Sequence, residues 1–149
     1  MTKAGCAIER FNDWPARLSE FIAARREMPF AWGVNDCCLF AADAIIAMTG
    51  TDFAAPFRGL YDTARGALEV VRGRGELFGV GDVTAELMCL YGIREVPPPF
   101  AQRGDLVLLE REHGESLGII SLDGTDVWAP GDEHLVCVPI SEGRRAWRI

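Results

Sequence analysis

The residues best equipped for chemistry in this chain are a cysteine with a carboxylate directly ahead of it, Asp36-Cys37, and two imidazoles, His113 and His134. A thiol attacks as its thiolate. Thiolate is favoured in the first turn of a helix, where unpaired amides present the positive end of the dipole. The run from Cys38 to Thr49 has helical period and stops at Gly50, so Cys37 is expected to begin a helix. Asp36 reads as its N-cap rather than as an acid, and Cys38 as a small buried apolar neighbour. A nucleophilic cysteine also needs a base in reach. His113 lies in a polar turn and would meet Cys37 only if that turn folds back. His134, after Gly131-Asp132-Glu133, enters a strand from a loop. The alternative for both is a solvated turn residue, and the alternative for Cys37 is a packed small side chain.

Positioning these groups falls to a chain that changes character along its length. Asp13 is placed to cap a first helix, with Pro15 in its first turn and Leu18, Phe21 and Ile22 on one face; Met28-Pro29 ends it. The Cys37 helix follows, then a loop from Thr51 to Leu60. Asp62 or Thr63 caps a short helix through Ala67, Leu68 and Val71, closed by Gly73-Arg74-Gly75. Asp82 caps another, with Leu87, Leu90 and Tyr91 inward and Gly92 as its stop. Pro97-Pro98-Pro99 marks the change of class. Strands are then expected at Leu106 to Leu109, Leu117 to Leu122, Val127-Trp128, Leu135 to Ile140 and Ala146 to Ile149. Polar residues from Arg111 to Glu115 and the pair Asp123-Gly124 supply turns. The expectation is one α+β domain over residues 1–149, helical over 1–96 and strand-rich over 104–149. Its helices would cover one face of an antiparallel meander, and Cys37 would pack against an open edge of that sheet.

At 149 residues the chain is long enough to bury about two-thirds of its unfolded surface in one core. A net charge of −7 gives nucleic-acid binding no electrostatic support. Five cysteines without a CxxC suggest neither a disulfide framework nor a zinc site, and no cofactor or metal is expected. No apolar run is long enough to span a membrane. Ala4-Gly5-Cys6 is spelled like a lipoprotein cleavage box but has no apolar stretch before it, so no signal peptide is expected. Trp32, Trp128 and Trp147 read as core anchors, with sugar platforms as the alternative. Arg144, Arg145 and Arg148 form a basic end, either a solvated edge or a surface for an acidic partner.

The spacing Phe30-x-Trp32-Gly33-x-x-Asp36-Cys37-x-x-Phe40, followed by an Ala-rich helix, resembles the NlpC-type cysteine peptidases, papain-like enzymes that cut peptide links in bacterial cell walls. Gly104-Asp105-Leu106-Val107 resembles the Gly-Asp that opens that family's first strand. Where the family carries its base in a His-Val-Gly-Ile pattern, this chain has Ser116-Leu117-Gly118-Ile119. Serine does not accept a thiol proton near neutral pH. Thr49-Gly50-Thr51-Asp52, Phe57-Arg58-Gly59-Leu60-Tyr61 and Ala146-Trp147-Arg148 extend the resemblance to short phage and prophage tail-module proteins. Arg58 would shape a loop near the cleft or be a surface charge.

What the resemblance implies is a papain-like, NlpC-type fold at the phage tail tip or baseplate, with a structural or adaptor role. Its partners would be other tail proteins, and its place the virion, assembled in the host cytoplasm. The second implied reading is an active hydrolase of peptidoglycan peptide. Cys37 would then be the nucleophile, His113 the candidate base, and Trp32, Asp36 and Ser116 the binding residues. A host amidase or acyltransferase on the same fold is the third.

Overall fold

The computed structural model describes residues 8–73, 79–112 and 114–149. Ala4-Gly5-Cys6, the Arg74-Gly75 part of the expected helix stop, and His113 lie outside the described residues.

The helical part holds α1 (Trp14–Arg25), α2 (Cys37–Thr49), α3 (Ala64–Arg72) and α4 (Val80–Leu90). In α1, Leu18 and Ile22 are buried and Phe21 packs beside Phe40 of α2, ring centroids 5.5 Å apart. Asp13 does not cap this helix as expected: its carboxylate accepts from Arg17 Nε at 2.7 Å, a better partner than a backbone amide. Thr63, not Asp62, caps α3 by accepting from Gly66 N–H. Helix α4 starts earlier than expected, at Val80 after Gly79, and Asp82 sits in its first turn without capping it. That shift rotates the buried face to Val83, Thr84 and Met88, and leaves Leu90 73% exposed rather than inward.

Among the described residues six antiparallel strands follow: β1 (Glu95–Val96), β2 (Leu106–Arg111), β3 (Gly114–Ile120), β4 (Asp126–Pro130), β5 (Leu135–Pro139) and β6 (Gly143–Trp147). They are ordered β1-β6-β2-β3-β4-β5. The α+β class and the change near the prolines hold. The meander covers only β2 to β5, because β6 returns to the far side of β2 and brings β1 into the sheet through Glu95 opposite Trp147. Strand β1 falls inside the segment read as helical. β3 begins among residues read as a polar turn and ends before Ser121.

All four residues Leu106 to Leu109 are buried, so both faces of β2 are covered. On one face Leu106 and Leu108 join the helices, with Phe40, Ile45, Met48 and Trp147 at the centre. On the other, Val107 and Leu109 meet Ile120, Val127, Val138 and Ala146, with Ala101 and Ile140 packed on top. Gly118, from the Leu-Gly-Ile motif, lets β4 approach: a Cβ there would lie 2.4 Å from Val127 Cγ1 and 2.6 Å from Trp128 O. β4 pairs with β3 only at Ile119 and Ile120. The earlier residues of β3 are left with an edge open on that side, and α2 packs against this strand.

Candidate functional site

Asp36 has extended backbone and its Oδ1 accepts the Leu39 N–H at 2.9 Å, the N-cap bond expected of it. Its other oxygen accepts the Gly33 N–H at 2.9 Å and the Tyr61 hydroxyl at 2.7 Å. Asp36 is therefore a buried junction of three segments: the Trp-Gly loop, the head of α2 and the loop after Phe57. Burial and this hydrogen bond push the Tyr61 phenol well above its usual pKa, so Tyr61 stays a donor. Gly33 has φ +80° and a Cβ on it would fall 2.4 Å from Tyr61 O. Only glycine brings the two loops this close. The opposite end of α2 closes on Gly50 with φ +79°.

Cys37, the first residue of α2, is half-buried at the open edge of β3. Its sulfur lies 3.9 Å from Cys38 Sγ. The Cys37 thiol is held below its ordinary value, chiefly by its hydrogen-bond contact with Cys38 and further by the Leu117 N–H and the Ser116 hydroxyl. Burial and the charge of Asp36 oppose this. Cys38 moves the other way: its hydrogen bond to Cys37 and its burial raise it well above the usual range. The contact thus pushes the two thiols in opposite directions, Cys37 down and Cys38 up, so Cys38 is a partner of the Cys37 sulfur as well as a packed residue.

Ser116 stands where the resemblance places a base, and its hydroxyl contributes to lowering the Cys37 thiol. A hydroxyl donating to a thiolate stabilises it but takes no proton from a thiol. The imidazole of His134 is committed elsewhere, with Nδ1 2.8 Å from Leu135 O. It does not line the cavity beside Cys37. The candidate base His113 lies outside the described residues.

The remaining expected residues divide. Trp32 is not a core anchor; it is 39% exposed at the cavity mouth, its ring edge-on to Phe30 at 4.8 Å. Trp147 is a core anchor and Trp128 is half-buried. Arg58 shapes the loop: it binds Asp52 at 2.8 Å and Asp43 on α2 at 2.6 Å, and Asp43 also holds Arg25. The basic C-terminal end is neutralised within the chain. Arg145 makes a two-pronged pair with Glu95, Arg144 approaches Glu110, and Arg148 approaches Asp105.

Sequence reasoning missed Tyr61 as the Asp36 partner, Cys38 as a contact of the Cys37 sulfur, and an apolar cavity of about 850 Å³ beside Cys37. Tyr61 lay within the Phe57-to-Tyr61 motif, which was a usable signal. Among the described residues, no group of three or more His, Cys, Asp and Glu could hold a metal ion, and no helix is long and apolar enough to cross a membrane.

A family model described as a domain of unknown function (DUF6950) matches residues 9–149. The chain belongs to that family. No curated protein matches it.

Proposed function

We propose that this DUF6950 chain is a papain-like, NlpC-type domain whose peptidase chemistry is lost, and that it serves as a structural or adaptor component of a phage tail tip or baseplate. The observation that carries the loss of chemistry is Ser116 facing the Cys37 sulfur from β3. Amide cleavage by cysteine needs a group that protonates the departing amine as well as a thiolate, and a serine hydroxyl supplies no such proton relay. The tail assignment rests on the motif resemblance that runs from Trp32 to Arg148. In this reading Asp36, Tyr61 and Gly33 keep the old catalytic corner as a rigid scaffold.

The test is reconstruction. Wild type, Ser116→His and Cys37→Ala are incubated with purified peptidoglycan and released amino groups are measured. Wild type should release none, and Ser116→His should gain cleavage that a second change, Cys37→Ala, removes. In the phage, Cys37→Ala should assemble and infect like wild type, because a small thiol-to-methyl change costs on the order of 1 kcal/mol. Deletion of the protein should give defective tails.

The hydrolase reading is favoured by one observation, the depressed Cys37 thiol at a helix N-terminus. It predicts the opposite: wild-type cleavage lost in Cys37→Ala, and infectivity as poor as the deletion despite normal particles. Either result would displace the adaptor reading.

A further inference from the structure

The cavity beside Cys37 is more than the approach to a lost catalytic centre. Its floor is α2, through Leu39, Ala42 and Ile45; α4 forms one wall, and α3 forms the roof. Helix α3 is strongly amphipathic, with Ala67, Leu68 and Val71 lining the cavity, yet none of its residues is buried. A short helix is held in a protein mainly by packing its apolar face. Among the described residues that face meets a partly open cleft of about 850 Å³, within the range of ligand pockets. The apolar character continues outward, where Trp32, Val34 and Leu60 are exposed on the two loops that Gly33 brings together.

The distribution of polar groups selects the occupant. The α2, α3 and α4 walls use their backbone groups within the helices, and only the open edge of β3 at the Cys37 end offers free ones, so a peptide laid beneath α3 would bury amides without partners. An aliphatic chain has none to satisfy. The acidic groups lie at the Cys37 end and near the start of α4: Asp36, occupied by Gly33, Leu39 and Tyr61, and Glu115, which accepts the Gly81 N–H at 3.2 Å. Two carboxylates repel a free fatty-acid head, whereas an uncharged carbonyl is tolerated. We propose that this cavity binds a single aliphatic acyl chain with an uncharged ester- or amide-type head, the carbonyl end beside Cys37 and the tail under α3. The inference stands on the cavity and does not depend on the tail assignment.

The experiment uses monodecanoylglycerol as probe, with sodium decanoate and glycerol as comparisons. Binding is followed by titration calorimetry, and Cys37 occupancy by its protection from iodoacetamide, read by peptide mass spectrometry. Saturable binding of monodecanoylglycerol is expected, at least about tenfold tighter than decanoate, with none for glycerol. Bound probe should slow Cys37 alkylation but not that of exposed Cys89. Ala67→Phe, which fills the cavity from the roof, should weaken binding by at least about tenfold while circular dichroism stays native. If that variant fails to fold, the Cys37 protection in wild type decides the matter. Absence of saturable binding, an unchanged affinity in folded Ala67→Phe, or unprotected Cys37 at saturation would overturn the site. Equal binding of decanoate would overturn the uncharged head.

Discussion

At Cys37 the decisive interaction comes from the next residue along the chain. The two adjacent sulfurs lie 3.9 Å apart, and their contact lowers the Cys37 thiol and raises that of Cys38. Because the Cys38 hydrogen bond is the largest influence lowering the Cys37 thiol, Cys38→Ala should raise it. The measurement is the pH dependence of iodoacetamide labelling, resolved by residue. In wild type the Cys37 midpoint should fall below that of Cys137, whose thiol burial pushes up. In Cys38→Ala the Cys37 midpoint should move upward. An unchanged midpoint would mean that Leu117 N–H, Ser116 and the helix terminus suffice alone. Ser116→Ala should shift it in the same direction by less, since its contribution ranks below that of Cys38.

The elements that hold this residue in place are tied by ion pairs as well as by packing. Arg58 draws the loop after α2 onto that helix through Asp43, while Asp52 anchors it from the same loop. The groups are about one-sixth to one-third exposed, so the pairs sit between surface and interior in strength. Arg58→Ala is expected to cost about 1–2 kcal/mol in urea unfolding near neutral pH and to loosen the Tyr61–Asp36 contact, speeding Cys37 alkylation. The pH dependence has a definite sign. The hydrogen bond from Arg58 holds the Asp52 carboxyl below its usual range. Its contribution is therefore present above the ordinary carboxylate pKa and is lost as pH falls through the depressed value. The gap between wild type and Arg58→Ala should narrow when unfolding is repeated near about pH 3. A gap that widens in acid would refute this assignment of the loop's stability.

Across the whole molecule, the buried carboxylate of Asp105 joins segments distant in sequence. It accepts from Arg10 at 3.0 Å, from the Gln102 N–H at 2.8 Å and from the Ile149 N–H at 3.1 Å, with Arg148 Nε at 3.4 Å. Gly-Asp at this point thus opens β2 and also fastens the segment before α1 and the residues after β6 to the sheet. Removing one member of a buried charged set leaves the others unpaired, at a cost of about 3–5 kcal/mol. Asp105→Ala should lower the urea midpoint accordingly, a large share of the roughly 5–15 kcal/mol typical of a domain. A loss below about 1 kcal/mol would mean that water replaces the carboxylate without penalty.

What the sequence determined by itself lies where the signal is local. Asp36 before an apolar periodic run and Gly50 after it specify α2, because a cap and a left-handed stop act within one helical turn. Asp123-Gly124 specifies its turn for the same reason. Serine at position 116 was legible as an obstacle to base catalysis before any coordinates. The tertiary structure decided what depends on distant partners. Glu95 and Val96 are a strand because Trp147 and Ala146 lie beside them. Leu90 is exposed because the face of α4 is set by Met88 and Val83 against the core rather than by its own period. Tyr61 reaches Asp36 across 25 residues, a contact with no local signature. The cavity under α3 arises because that helix has an apolar face and the fold leaves open space beneath it. Periodicity records that such a face exists, and only packing decides whether a core, a ligand or a void lies against it.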